Sequence, residues 1–171
     1  MSRGTRQKKV NNHLFMQDIT RMFSQEGKKS VTFVVRGFSM RPFLEDGRDK
    51  VILAPPREPK IGDVVLAEVF EQKYALHRVI KIEDGIYTMR GDGNPLWMTE
   101  QFTYDRIIGI ADGFIRKGKT VSTDSRLWRS YSAVWNALKP LRRILLAVYR
   151  RVYPLFLQQG EKNRRIDNHK K

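Results

Sequence analysis

The sequence predicts a mainly β fold, a strongly coiled antiparallel sheet or partly closed barrel, with a short N-terminal helix and a C-terminal amphipathic helical extension. Three observations carry this expectation. Between Val31 and Phe114, short β-branched and aromatic runs alternate with tight turns rich in glycine and proline, the pattern of antiparallel strands. Apolar residues on either side of that stretch recur at helical spacing. With 171 residues, 40% of them hydrophobic, the chain suffices for one well-cored domain with appendages; two ordinary domains would need more.

Residues 1–10 contain no apolar run and are expected to be a disordered basic start, neither a secretory signal nor a transmembrane segment. The main domain is expected over residues 11–120. From Asn11 or Asn12, either of them a suitable N-cap, Phe15, Ile19, Met22 and Phe23 fall on one helical face, and Gly27 ends the helix. Val31-Thr32-Phe33-Val34-Val35 reads as a strand that delivers the chain into Gly37-Phe38-Ser39. Further strands are expected at Lys50–Ala54, Asp63–Phe70, Tyr74–Ile82, Ile86–Arg90 and Arg106–Phe114, separated by turn residues.

After Thr120 the character changes. A polar linker, Ser122-Thr123-Asp124-Ser125, leads to Tyr131, Val134, Leu138, Leu141, Leu145, Val148 and Val152, which step by 3, 4, 3, 4, 3 and 4. That is an amphipathic helical stripe, assigned to residues 126–157, with Lys139, Arg142, Arg143, Arg150 and Arg151 on its other side. Pro140 breaks or kinks it, or begins a second helix. Its longest apolar run, Ile144 to Tyr149, is far below the ~20 residues that span a bilayer, so the chain is expected to be cytoplasmic or peripheral on a membrane. Residues 158–171 read as a disordered basic tail.

The net charge of +15 is concentrated in the flanks. Residues 1–30 hold 7 Lys/Arg against 2 Asp/Glu, residues 31–125 hold 14 against 14, and residues 126–171 hold 12 against 2, giving +5, 0 and +10. A neutral core is a poor phosphate binder, so no specific nucleic-acid partner is expected. An anionic membrane surface, met through residues 126–157, fits the basic extension better. Cysteine is absent, which excludes disulfides, thiol catalysis and cysteine-ligated zinc. The three histidines, His13, His77 and His169, form no ligand-spaced cluster, so no metal or other cofactor is expected.

The chemistry-bearing residues occur in a suggestive order. Gly37-Phe38-Ser39-Met40-Arg41-Pro42 places a serine at an abrupt strand end; Gly62-Asp63, His77-Arg78-Val79-Ile80 and Arg90-Gly91-Asp92-Gly93-Asn94 follow. A serine hydroxyl needs a base to take its proton, and the base works best when a third group orients it. Ser39, His77 and Asp92 suit these three roles. The series resembles the serine peptidase clan that contains type I signal peptidases and the self-cleaving LexA-type repressors. It is most similar to the endoplasmic-reticulum and archaeal-type signal peptidases, which carry histidine at the base position. The resemblance covers roughly residues 31–119.

It implies a fold of the signal-peptidase/LexA-like type and a serine endopeptidase whose nucleophile is Ser39, whose base is His77 and whose orienting carboxylate is Asp92, with Glu100 as the alternative. The implied partner is an extended peptide or protein substrate, such as a signal or leader peptide, with small residues before the cleaved bond. The apolar anchor helix that precedes the family's serine has no counterpart here. Lys81 is a rival base, because the LexA-type enzymes use lysine and an even number of strand residues separates it from His77. Asp63 is expected to brace its turn, and Trp97 and Phe102 either line a substrate groove or belong to the core. Two other functions fit the same residues: a LexA-like self-cleaving regulatory domain, and a catalytically inactive basic module that binds membranes or nucleic acid.

Overall fold

The computed structural model describes residues 12–138, 141, 144–149 and 151–152. The expectations for residues 1–10 and 158–171, for His169 and for a kink at Pro140 lie outside them. Helix α1, Asn12–Ser24, buries Met16 and Ile19. Its Phe15 meets Phe33 edge-on at 5.5 Å, so the apolar face read from the spacing is the face turned to the sheet.

Eight strands follow: β1 Val31–Val34, β2 Lys50–Ala54, β3 Val64–Phe70, β4 Lys73–Glu83, β5 Ile86–Arg90, β6 Glu100–Phe102, β7 Ile107–Arg116 and β8 Lys119–Ser122. All pairings are antiparallel, in the order β1-β2-β7-β3-β4-β5-β6, with β8 added to β7. Strand β7 is the branch point: β3 pairs along its first half and β8 along Gly113 to Arg116. No described pairing joins β1 to β6. The sheet is therefore open, and the partial closure expected from the strand pattern does not form among the described residues.

Two strands were not legible as strands. β6 is three residues long and begins on a charge, too short to show alternation; its pairing with β5 makes it a strand. β8 returns from β7 through Lys117 and Gly118, whose φ values of 47° and 79° are those of a type I′ hairpin. Lys-Gly lacks the usual Asn-Gly or Asp-Gly signal, so the sequence alone does not mark this hairpin.

The central strands build the core, with continuous buried runs at Val64–Ala67 and Ile107–Ala111. Val65 and Ala67 on β3, Val79 on β4, Tyr87 and Met89 on β5, Phe102 on β6, and Ile107 and Ile110 on β7 form one apolar cluster. Helix α2, Arg126–Ala137, starts at Ser125, whose Oγ accepts the Trp128 N–H at 3.2 Å as an N-cap does. Trp128 lies 4.7 Å from the rings of both Phe43 and Phe114. This aromatic contact carries the first compact unit past residue 120, to Arg129, and a second unit begins at Ser130. Among the described residues, no helix is long and apolar enough to cross a membrane.

Fully buried Asp49 anchors the loop between β1 and β2. Its carboxylate takes Arg48 Nε and Nη2, each at 2.7 Å, and the Glu45 N–H at 2.9 Å. Burial alone would raise its pKa, but the hydrogen bonds and charge of Arg48, with the Glu45 N–H, outweigh it and hold the group below its ordinary 3.8. A depressed folded-state pKa gives stability that is present above the unfolded value and lost as pH falls through the folded one. The urea midpoint of the native protein is therefore expected to fall more steeply below pH ~4 than that of Asp49→Asn. Parallel pH dependences in the two proteins would refute this role for Asp49.

Candidate active site

Two backbone features seat Ser39. Gly37 has φ of 92°, a conformation L side chains rarely adopt, and its N–H donates to Asp46 Oδ1 at 2.9 Å. The Ser39 carbonyl accepts the Gly93 N–H at 2.7 Å. Ser39 also packs directly on Gly91, where an added Cβ would fall 2.9 Å from Ser39 Cβ and 2.5 Å from its carbonyl oxygen. Any side chain at Gly91 would expel the serine.

The register of β4 and β5 relates that contact to His77. Arg78 pairs with Arg90 across β4 and β5, so one step further Gly91 stands opposite His77. Directly opposed residues keep their Cβ positions about 4.5–5.5 Å apart. Gly91 has no side chain to place there, and Ser39 packs over it. The described hydrogen bonds include none between the side chains of Ser39 and His77; such bonds are often long in ligand-free enzymes.

The imidazole is held from its far side. Val79 pairs with Met89, and Met89 pairs with Glu100, so these three side chains share one face of the sheet. His77, two residues before Val79, shares it too. Reaching across β5, Glu100 Oε2 lies 2.9 Å from Nδ1 of the buried His77. With Nδ1 taken by a carboxylate, Nε2 is the nitrogen left for the serine.

Asp92 does not reach the histidine. Side chains alternate along extended chain, so when Gly91 faces His77 the next residue faces away. Asp92 instead grips Arg78, with Nε to Oδ1 at 2.9 Å and Nη2 to Oδ2 at 2.7 Å. Both are almost wholly buried, 1% and 2% exposed. Arg78 also donates to the Gly62 carbonyl at 3.0 Å and lies 4.6 Å from the centre of the Trp128 ring. The carboxylate at His77 Nδ1 is thus Glu100, the alternative, and not Asp92 as first expected, because Asp92 is paired with Arg78. Sequence reasoning passed over Arg78 as part of the motif; the signal available was an arginine inside an apolar strand, which must find a carboxylate if buried.

The remaining candidates are dispersed. Lys81 is exposed, with Nζ bonded to Glu83 Oε2 at 2.6 Å. A β-bulge between Val79 and Lys81 pairs it with Thr88, which removes it from the face it was expected to share with His77. Asp63 accepts the Lys60 N–H at 3.0 Å and Arg57 Nη1 at 2.8 Å, as a turn brace does. Phe102 is core, stacked on Tyr87 at 5.3 Å. Trp97 is 78% exposed. Its loop is tied down by Arg90, whose Nη1 donates to the Leu96 carbonyl at 3.2 Å. Burial lowers the Arg90 pKa, partly opposed by the charge of Asp92. His13 contacts Tyr74, with Nδ1 and the hydroxyl 2.6 Å apart.

A cleft of about 650 Å³ lies elsewhere, between α1 and the β3–β4 end of the sheet, lined by His13, Arg21, Glu68 and Tyr74 among others. None of Ser39, His77 and Glu100 borders it. No group of three or more histidine and acidic side chains among the described residues is placed to hold a metal. In comparisons with protein-family models, curated proteins and solved structures, nothing matched this chain.

Proposed function

We propose that this chain is a serine endopeptidase of the signal-peptidase-like clan, its open sheet a variant of the signal-peptidase/LexA-like type. One juxtaposition supports the reading: Ser39 packs over Gly91, the residue that the β4–β5 register, continued one step, sets opposite His77, and His77 Nδ1 lies 2.9 Å from Glu100 Oε2. Ser39 Oγ attacks the scissile carbonyl while His77 Nε2 takes its proton, and the resulting imidazolium is stabilised by Glu100. The same proton then passes to the leaving amine, giving an acyl-enzyme. Water, deprotonated by His77, releases the acid and restores the serine. The backbone N–H of Ser39 is the oxyanion donor.

The substrate is an extended peptide such as a signal or leader peptide. Phe38, 58% exposed beside the nucleophile, and Trp97, three residues before Glu100, offer it apolar contact. An active-site-directed serine probe such as a fluorophosphonate is expected to label the native protein at Ser39 and to leave both Ser39→Ala and His77→Ala unlabelled. Equal labelling of Ser39→Ala would remove the basis for the assignment.

A further inference from the structure

The second unit carries an apolar face that the protein leaves uncovered. Residues 144–149 and 151–152 are helical. Leu141, Ile144, Leu145, Val148 and Val152 are 49%, 62%, 38%, 53% and 40% exposed. Their spacing of i, i+3, i+4, i+7 and i+11 is that of a single helical stripe. Leu146 is buried and Tyr149 half-buried, so the segment has an inner side and this stripe is not it. Four of these five belong to the stripe the spacing predicts. Tyr131 and Leu138 are half-buried, whereas Ile144, outside the expected pattern, is the most exposed of the five.

We propose that this stripe docks on an anionic lipid bilayer, lying in its surface rather than crossing it. Charge selects the occupant. Residues 126–171 hold 12 Lys/Arg against 2 Asp/Glu, and an apolar stripe within so basic a segment matches acyl chains bordered by anionic headgroups. A second copy of the chain would bring the same +10 against itself. Protein interfaces are depleted in charge at their core, which further favours the lipid surface. The proposal is independent of the peptidase reading, since it uses none of Ser39, His77 and Glu100.

The test uses the full-length protein and phosphatidylcholine vesicles with and without phosphatidylserine. Sedimentation with the vesicles is expected only when phosphatidylserine is present, and it should weaken as salt rises. Ile144→Asp with Val148→Asp replaces two exposed residues, so far-UV circular dichroism and Tm should stay as in the native protein while vesicle partitioning falls at least about tenfold. Three results overturn the proposal: no binding to phosphatidylserine vesicles, binding that the aspartate pair leaves unchanged, or a dimer in solution that the aspartate pair dissociates. The second would show that charge alone makes the contact. The third would assign the face to another copy of the chain.

Discussion

Alanine at Ser39 or at His77 is expected to remove essentially all peptide-bond cleavage, a loss on the order of 10⁶-fold in kcat, with no further loss in the double variant. Non-additivity is the informative part. A nucleophile and its base act as one unit, so once either is gone the other has nothing left to contribute. Both variants should fold, because Ser39 is half-buried in a turn and His77 is one side chain at the rim of an apolar cluster formed by others. Glu100→Gln tests the third role separately. The amide cannot stabilise the imidazolium and can hold the wrong tautomer, so kcat should fall by up to ~10⁴-fold while Tm hardly moves. These values come from steady-state kinetics on a small peptide. Full activity in His77→Ala would end the serine–histidine reading, and an unchanged kcat in Glu100→Gln would remove Glu100 from it.

Alternation and turn chemistry carried much of the fold in the sequence. Six of the eight strands stand within a few residues of their expected bounds, and α1 within one or two, because their β-branched and aromatic runs are bounded by turn residues. Whether the sheet closes depends on strand order and on how β7 divides its length between β3 and β8. Nothing in a strand's own residues records its neighbours. The serine and histidine were legible because each sits beside a recognisable turn or strand. Assigning the third carboxylate required a parity that the sequence contains but does not display. Glu100 shares the face of His77 only through the chain of pairings Val79–Met89–Glu100, and β6 was too short to be seen.

The same parity underlies a stability prediction of comparable size. Asp92→Ala should destabilise the protein by about 3–5 kcal/mol, because it leaves the guanidinium of Arg78 buried without its carboxylate. Water cannot reach a side chain that is 1% exposed. The hydrogen bond to the Gly62 carbonyl cannot neutralise the charge. Arg78→Leu should be similarly damaging, and the double variant Arg78→Leu/Asp92→Leu should lose less than the two single losses together, since neither charge is then left alone. Activity should fall only in proportion to loss of structure. Asp92 lies between Gly91, on which Ser39 packs, and Gly93, whose N–H holds the Ser39 carbonyl, so it acts on the nucleophile through backbone. Denaturant unfolding beside kinetics at low temperature separates the two roles: a positioning residue lowers kcat while leaving the shape of the pH profile intact. Should Asp92→Ala unfold at the native midpoint yet cleave as poorly as His77→Ala, Asp92 would be a catalytic carboxylate after all, and the pairing with Arg78 would describe only the resting enzyme.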